Sequence, residues 1–289
     1  MEVLFMKKSI IYFLLVFSVT SVVAQDGLLD ELNSSVSLNN SVSSTFKALK
    51  IVNLESTKLA AKKDFYFIIS HRFGSLKGGA KEFFGLDQST IRFSFFYGFT
   101  DWLTLGFSRS SFQKTYDVTA KYKLKGQQNN GFPVSIVGFN AVSVNTQQSR
   151  ANVPLLEYKH RLTYLSQLLI SRKFSRSLSL ELAPIYFHEN YVSNPLQDNN
   201  QYAIGGGGRI KISNRVTFNV DYVYHLNRAE NSVFKNPLSM GFDIETGGHV
   251  FQLIFSNAQP MYDAGFITNA SGDWTKGDVF FGFNLSRVF

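Results

Sequence analysis

Charged side chains recur at every second position in several segments of this sequence. The basic members are Arg92, Lys121, Lys123, Arg209 and Lys211, and the acidic members are Asp117, Glu181 and Asp221. Alternate residues of a β-strand point to the same face of a sheet, so these side chains are expected to share one face. If that face encloses a lumen, its excess of positive charge would concentrate small anions there. The alternative is that the charges pair across strands and merely fill a narrow interior.

Residues with catalytic or metal-binding chemistry show no comparable pattern. None of the five histidines has the spacing of a zinc-binding helix, and no G-x-S-x-G motif marks a nucleophilic serine. A hydrolase at a lipid-facing surface would have to combine His188 and Tyr186 with Ser108 or Ser166. The run Gly205–Gly208 could cradle an anion, but glycines within a strand more often mark a bend or a close approach. We therefore predict no catalytic residue, no metal, no cofactor and a protein that is not an enzyme.

The elements that would hold the charged residues are segments of about ten residues in which apolar and polar side chains alternate. In one of them, Val220 and Tyr224 point one way while Thr217 and Asp221 point the other. The expected strands are Phe65–Phe73, Ser89–Gly98, Leu103–Arg109, Thr115–Lys125, Phe132–Val144, Arg161–Phe174, Leu178–Glu189, Tyr202–Ser213, Val216–Leu226, Leu238–Thr246, His249–Ser256 and Asp278–Phe289. This pattern predicts an all-β protein, a closed antiparallel transmembrane barrel of about 12 strands.

The composition favours the same class of protein. The 289 residues include 29 Phe and 13 Tyr, 44% are hydrophobic and only 17% are charged, and no long apolar run follows the N-terminus. A membrane protein without spanning helices must be a barrel, because only helices and closed sheets satisfy every backbone group in lipid. The absence of cysteine excludes disulfides and thiolate metal sites. The net charge of +8 is dispersed along the chain, which argues against nucleic-acid binding.

Short and long connections alternate along the chain, as they do in membrane barrels with short periplasmic turns and longer extracellular loops. The short connections are Thr100-Asp101, Ser175–Ser177, Asn214-Arg215 and Gly247-Gly248, and the long ones are Gly74–Asp87, Asn145–His160, Asn190–Gln201, Asn227–Pro237 and Asn257–Gly277. One tight connection, Ser110–Gln113, falls on the predicted outer side. The connections therefore support the barrel and give it an orientation.

The two ends of the chain carry export signals. Residues 1–24 have the charged start, short apolar centre and small-residue end of a cleaved signal peptide. Residues 25–63 are expected to be a periplasmic lead-in or a plug, and residues 64–289 the barrel. The last strand places Phe281, Phe283 and Leu285 on one face and ends at Phe289, similar to the signal that the barrel insertion machinery recognises. Arg287 departs from that signal, because an apolar residue is usual there.

Four stretches resemble a family of uncharacterised membrane-bound β-barrel domains of Bacteroidetes-type bacteria. They are ISHRFG at residues 69–74, LAPIYF at 182–187, NPLSMGFDIETGGHVFQL at 236–253 and GFNLSRVF at 282–289. The resemblance covers nearly all of residues 50–289. It implies a barrel in the outer membrane of a Gram-negative bacterium, surrounded by lipid, and it supplies no activity.

The sequence thus leaves three hypotheses for function. The first is a narrow passive channel or transporter for small solutes, with a preference for anions. The second is a non-conducting structural or interaction barrel, closed by its own side chains or by residues 46–63. The third is a membrane-embedded hydrolase. The cargo and the oligomeric state are not specified by the sequence.

Overall fold

The computed structural model describes residues 42, 44–151 and 153–289, and these residues form a closed barrel of twelve antiparallel strands. The strands are β1 (Phe65–Ser75), β2 (Ser89–Thr100), β3 (Leu103–Ser110), β4 (Thr115–Lys125), β5 (Ser135–Asn145), β6 (Leu162–Lys173), β7 (Leu178–Glu189), β8 (Asn200–Lys211), β9 (Val216–His225), β10 (Leu238–Thr246), β11 (His249–Ser256) and β12 (Phe280–Val288). The predicted fold is confirmed. The predicted signal peptide, residues 1–24, and residues 25–41 and 43 of the predicted lead-in lie outside the described residues.

Each strand pairs with its neighbours in sequence, and β1 closes the ring by pairing with β12. Phe67, for example, lies opposite Phe95 on β2 and Arg287 on β12. Closure leaves no strand edge, so the backbone groups of the sheet are paired within the barrel. No helix in the described part of the chain is long and apolar enough to cross a membrane.

The two faces of the wall differ in chemistry because side chains alternate along each strand. Aromatic and aliphatic residues cover the outer face, where the rings of Phe67 and Phe95 stack with centroids 5.1 Å apart. Phe93, Tyr97 and Phe107 are also exposed on that face. An apolar band of this kind matches the hydrocarbon interior of a membrane.

The connections also differ between the two ends of the barrel. One end, the short-loop end, has tight turns such as residues 101–102 and 247–248, and its longest connection is residues 126–134. The other, the long-loop end, contains 3₁₀ helices at Leu76–Gly85, Phe112–Lys114, Tyr158–Arg161 and Trp274–Lys276 and an α-helix, α1, at Asp263–Thr268. The strand β5 begins three positions later than the sequence pattern predicts because Pro133 has no N–H to donate to the ladder.

A hairpin enters the lumen from the short-loop end. We call residues 45–60 the luminal hairpin. The N–H of Ile51 donates to the carbonyl of Leu54 at its tip (2.8 Å), and the N–H of Ser56 donates to the carbonyl of Leu49 (3.0 Å). The chain then returns to the rim, where the N–H of Lys63 donates to the carbonyl of Gly98 (2.7 Å) just before β1 begins.

A second segment fills the lumen from the long-loop end. We call residues 257–279, which connect β11 to β12 and include α1, the inner loop. Ala264, Phe266 and Ile267 of α1 are buried, and they join one apolar cluster with Ile51 and Leu54 of the luminal hairpin. The barrel interior is therefore a packed core rather than an open tube.

Candidate functional site

The tip of the luminal hairpin is held by one carboxylate of the barrel wall. Oδ2 of Asp221, on β9, accepts hydrogen bonds from three consecutive backbone N–H groups, those of Val52 (3.0 Å), Asn53 (2.8 Å) and Leu54 (2.9 Å). Hydrogen bonds to an ionised acceptor are about twice as strong as those between neutral groups. Asp221 thus anchors the tip of the hairpin near the middle of the barrel.

A chain of ion pairs connects the wall, the hairpin and the inner loop. Glu55 of the hairpin lies between Lys121 of β4 and Lys50, with 2.6 Å between nitrogen and oxygen in both pairs. Lys50 also pairs with Asp263 of the inner loop at 2.6 Å. The side chains of Glu55 and Asp263 are each 2% exposed, so these charges depend on one another rather than on water.

Lys121 acts as a clamp for the hairpin rather than as a free luminal charge. Besides its pair with Glu55, its Nζ donates to the carbonyl oxygens of Leu49 (2.9 Å) and Ser56 (3.0 Å). Both strands of the hairpin are therefore held by one ammonium group. An ammonium with all its donors engaged contributes little to attracting solutes.

Of the other residues predicted to line the lumen, two form an ion pair with each other, one accepts a hydrogen bond from the hairpin, and three differ from one another in exposure. Arg92 pairs with Asp117 at 2.6 Å, and both side chains are buried. Glu181 accepts a hydrogen bond from the N–H of Thr57 in the hairpin (3.0 Å). Arg209 is buried, whereas Lys211 is half-buried and Lys123, near the short-loop end of β4, is exposed.

One wall of the lumen is apolar and packs against the hairpin. It consists of inward-facing residues of β5 to β9, namely Val137, Phe139, Ala141, Leu165, Leu169, Ala183, Ile185, Phe187, Ala203 and Val223. The four-glycine run of β8 lies in this wall. A Cβ atom at Gly207 would lie 2.6 Å from Cδ1 of Ile51, and one at Gly205 would lie 3.0 Å from Cδ1 of Leu54. These glycines therefore form a recess that receives the hairpin tip.

Filling this recess should displace the hairpin. We expect Gly207→Leu to disfavour the seated hairpin by about 1–3 kcal/mol, the usual effect of overpacking a filled core. Trypsin should then cleave after Lys58 faster than in the unmodified protein, as measured by mass spectrometry of the refolded chain. Gly206→Leu is the matched control, because a Cβ there meets only the carbonyl oxygen of Glu181 at 3.9 Å. Equal cleavage of the two variants would contradict a recess at Gly207.

The opposite wall of the lumen is polar. It includes Ser70 and Arg72 of β1, Arg92 and Ser94 of β2, and Asn284 and Ser286 of β12. A cavity of about 30 Å³ separates this wall from the hairpin, enough for one or two water molecules. Free space next to the hairpin therefore lies on the side of the polar wall.

Arg72 connects the polar wall to the hairpin. Its guanidinium donates to Oδ1 of Asn284 (3.0 Å) and to Oδ1 of Asn53 (3.1 Å), while its Nε is buried without a hydrogen-bond partner among the described residues. Arg72 is not among the residues predicted to line the lumen, although its alternation with His71 and Phe73 indicates an inward position. Four further residues are also missing from that prediction because they lie in segments without periodicity, namely Lys50, Asn53, Glu55 and Asp263.

The residues considered for a hydrolase are not arranged for catalysis. Oγ of Ser166 accepts from Nδ2 of Asn140 (2.6 Å), and Nδ1 of His188 pairs with Oδ1 of Asn200 (2.8 Å). Tyr186 also donates to Asn200 (2.8 Å). Ser108 is buried on the inner face of the wall, opposite to the exposed Tyr186. The described residues therefore show no serine activated by a histidine at this place.

Comparison with solved structures supports the fold. The NanC porin aligns with a TM-score of 0.50 and 11% identity, over 78% of this chain and 98% of the porin. The KdgM porin in complex with disordered oligogalacturonate also aligns with a TM-score of 0.50, at 9% identity over 78% of this chain and 99% of that chain. At such low identity the likeness concerns the fold alone.

Comparison of the sequence with known families gives a more specific result. No curated protein matches this sequence. The model of a family described as a membrane bound beta barrel domain matches residues 46–289, so the matched region includes the luminal hairpin from Phe46 onward. This chain belongs to that family of membrane-bound β-barrel domains.

Proposed function

We propose that this protein is an outer-membrane channel for small solutes that is closed in the state described here, with the luminal hairpin as its gate. The observation that carries the proposal is that the hairpin is seated by side-chain contacts, chiefly those of Asp221, Glu181 and Lys121, without joining the sheet. It can leave the lumen toward the short-loop end while all twelve strands stay paired.

The path for solutes runs along the polar wall. The cavity of about 30 Å³ lies between the hairpin and this wall, and Arg72 and Arg92 both contribute to its lining. Arg92 is neutralised by Asp117, whereas Arg72 contacts only neutral acceptors in the described structure. A displaced hairpin would leave Arg72 facing the widened path, and its charge would favour anions.

The location in the outer membrane of a Gram-negative bacterium is part of the same proposal. Export would use the signal peptide at residues 1–24, and insertion would use the last strand. Phe281, Phe283 and Leu285 lie on the outer face of β12, and the N–H of Phe289 donates to the carbonyl of Phe65 (2.9 Å). The recognition signal for the barrel insertion machinery would thus lie in the strand that closes the barrel.

Single-channel recording of the refolded full-length chain in planar bilayers tests the proposal. The unmodified protein should show rare openings, and Gly207→Leu should open more often than Gly206→Leu. A folded barrel that stays silent when its hairpin is displaced would favour the second candidate, a non-conducting interaction barrel. The apolar wall is the observation that favours that candidate, because a water-filled pore usually has a polar interior throughout.

Arg72 should determine the ion preference of the open state. In the Gly207→Leu background, we expect Arg72→Gln to reduce the anion-to-cation permeability ratio by roughly fivefold, because one unit charge in contact with an ion in water contributes about 1 kcal/mol. The reversal potential under a salt gradient measures this ratio. Arg172→Gln is the control, because Arg172 is exposed on the outer face of β6. An unchanged reversal potential in Arg72→Gln would exclude a path along the polar wall.

A further inference from the structure

A large cavity opens at the long-loop end, separate from the narrow gap beside the hairpin. Its volume is about 750 Å³, and it lies between the ends of β4 to β9, the loops that follow them and the inner loop. We call it the outer vestibule. This volume falls within the range of small-molecule sites in proteins. The luminal hairpin contributes no residue to its lining.

The lining of the outer vestibule is dominated by side chains that both donate and accept hydrogen bonds. Amides such as Gln147, Asn194 and Asn231 surround the opening, and hydroxyls such as Thr163 and Ser232 lie between them. The formal charges of the lining sum to only +1, because Arg161 and Arg228 exceed Glu189 by one. The cavity therefore suits a polar ligand that is not strongly charged.

His225 is the residue of this lining whose hydrogen bonding most clearly indicates a ligand. It is 4% exposed, it packs on the ring of Phe187 with centroids 5.4 Å apart, and its two buried ring nitrogens have at most one hydrogen-bond partner among the described residues, the side chain of Asn227. Buried ring nitrogens without partners are rare, because an unmade hydrogen bond in a buried place is costly. A ligand that displaces the side chains covering this ring on its vestibule side would supply the missing partner.

Two further polar atoms of the lining residues are also buried and without a hydrogen-bond partner in the described part of the chain. Oε1 of Gln148 is a buried acceptor and Nε of Arg228 is a buried donor, and neither has a partner in the described part of the chain. Burial also lowers the pKa of Arg228, which lies in the loop between β9 and β10. The vestibule thus offers an unused acceptor and an unused donor in addition to the imidazole of His225.

We propose that the outer vestibule binds an oligosaccharide. Sugar hydroxyls donate and accept at once, so they suit both an acceptor such as the carbonyl of Gln148 and a donor such as the N–H of Arg228, as well as either nitrogen of the imidazole of His225. The rings of Tyr191 and Phe234, which also line the cavity, provide flat apolar surfaces for the C–H faces of sugar rings.

Calorimetric titration of the refolded full-length chain tests this inference without measuring conduction. The probes are maltoheptaose, the hexamer of N-acetylglucosamine and the isolated, dephosphorylated core oligosaccharide of lipopolysaccharide. We expect saturable binding of at least one probe. Binding of the core oligosaccharide alone would identify the membrane's own glycans as the source, and binding of another probe would identify a free sugar.

Matched histidine variants locate the binding site. His225→Phe should weaken binding by about tenfold, equivalent to about 1.4 kcal/mol, and should keep its packing against Phe187. His188→Phe should bind like the unmodified protein, because His188 lies outside the vestibule lining near the same end of the barrel. Gln148→Leu provides a second variant in a loop, where folding is less at risk. Absence of saturable binding with every probe, or equal weakening in both histidine variants, would overturn the inference.

Discussion

Deleting residues 45–60 converts the closed barrel into a steadily conducting pore. The deletion removes the apolar side chains of Phe46, Ile51, Val52 and Leu54 together with their polar contacts, while all twelve strands keep their partners. We expect conductance steps at nearly every insertion into a planar bilayer, against rare openings of the unmodified chain. The lost burial amounts to roughly 1.5–3 kcal/mol per large side chain.

The deletion variant needs a control for folding, because it exposes the apolar wall to water. Circular dichroism and heat-modifiable migration on gels report whether the barrel still forms. A folded but silent deletion variant would contradict the gate. It would mean that the inner loop, through Ala264, Phe266 and Ile267, closes the lumen without the hairpin.

Replacing Glu55 by Ala should release the hairpin more strongly than Gly207→Leu does. Glu55 compensates Lys50 and Lys121, so its loss leaves Lys121 buried without an anionic partner. Breaking a buried ion pair by removing one partner costs about 3–5 kcal/mol. We expect rapid hydrogen exchange at the tip amides of Val52, Asn53 and Leu54, measured by mass spectrometry.

A double variant separates the ion pair from the packing of the hairpin. Glu55→Met with Lys121→Met removes both charges and keeps comparable volume, and Lys50 retains Asp263 as its partner. Apolar replacement of a whole buried pair is often nearly neutral, and the double variant additionally loses the hydrogen bonds from Lys121 to Leu49 and Ser56, which costs less than leaving a charge buried without its partner. Exchange at the tip should therefore be slower in the double variant than in Glu55→Ala. Faster exchange in the double variant would show that the hydrogen bonds of Lys121 to the carbonyl oxygens of Leu49 and Ser56, rather than its pair with Glu55, hold the hairpin.

The strands of the barrel can be predicted from the sequence because the alternation that identifies each strand lies within about ten consecutive residues. In β9, Val220 and Tyr224 alternate with Thr217 and Asp221, and this period of two assigns each residue to one face. The bounds of β4, β7, β10 and β11 agree with those predicted. Local alternation does not show where hydrogen bonding begins, and this explains the early start predicted for β5 at Phe132.

The sequence indicates the packed interior less clearly than it indicates the strands. In β6, the run Leu168-Leu169-Ile170 is apolar on both faces, and Leu169 is fully buried in the lumen. A strand that is apolar on both faces is typical of a sheet covered on both sides, here by lipid and by a core. This run contradicts a water-filled lumen along β6, and it could have been recognised before the structure.

The seating of the hairpin could not be predicted from the sequence. Asp221 was placed on the inner face, but its partners Val52, Asn53 and Leu54 lie about 170 residues earlier, in a segment with no periodic pattern. Only the fold brings them together. The same holds for Glu55 and Lys121, whose pairing depends on the depth that the hairpin reaches inside the barrel.

A reversible tether between the hairpin and the wall tests the gate most directly. The chain has no cysteine, and Oγ1 of Thr57 lies 2.5 Å from Oγ of Ser171 on β6, so Thr57→Cys with Ser171→Cys would place two thiols within bonding reach. Thr57→Cys alone is the control. We predict that the oxidised double variant shows no openings in single-channel recordings and that a reductant restores them. Openings of equal frequency before and after reduction, in a protein whose disulfide is verified, would contradict the hairpin as the gate.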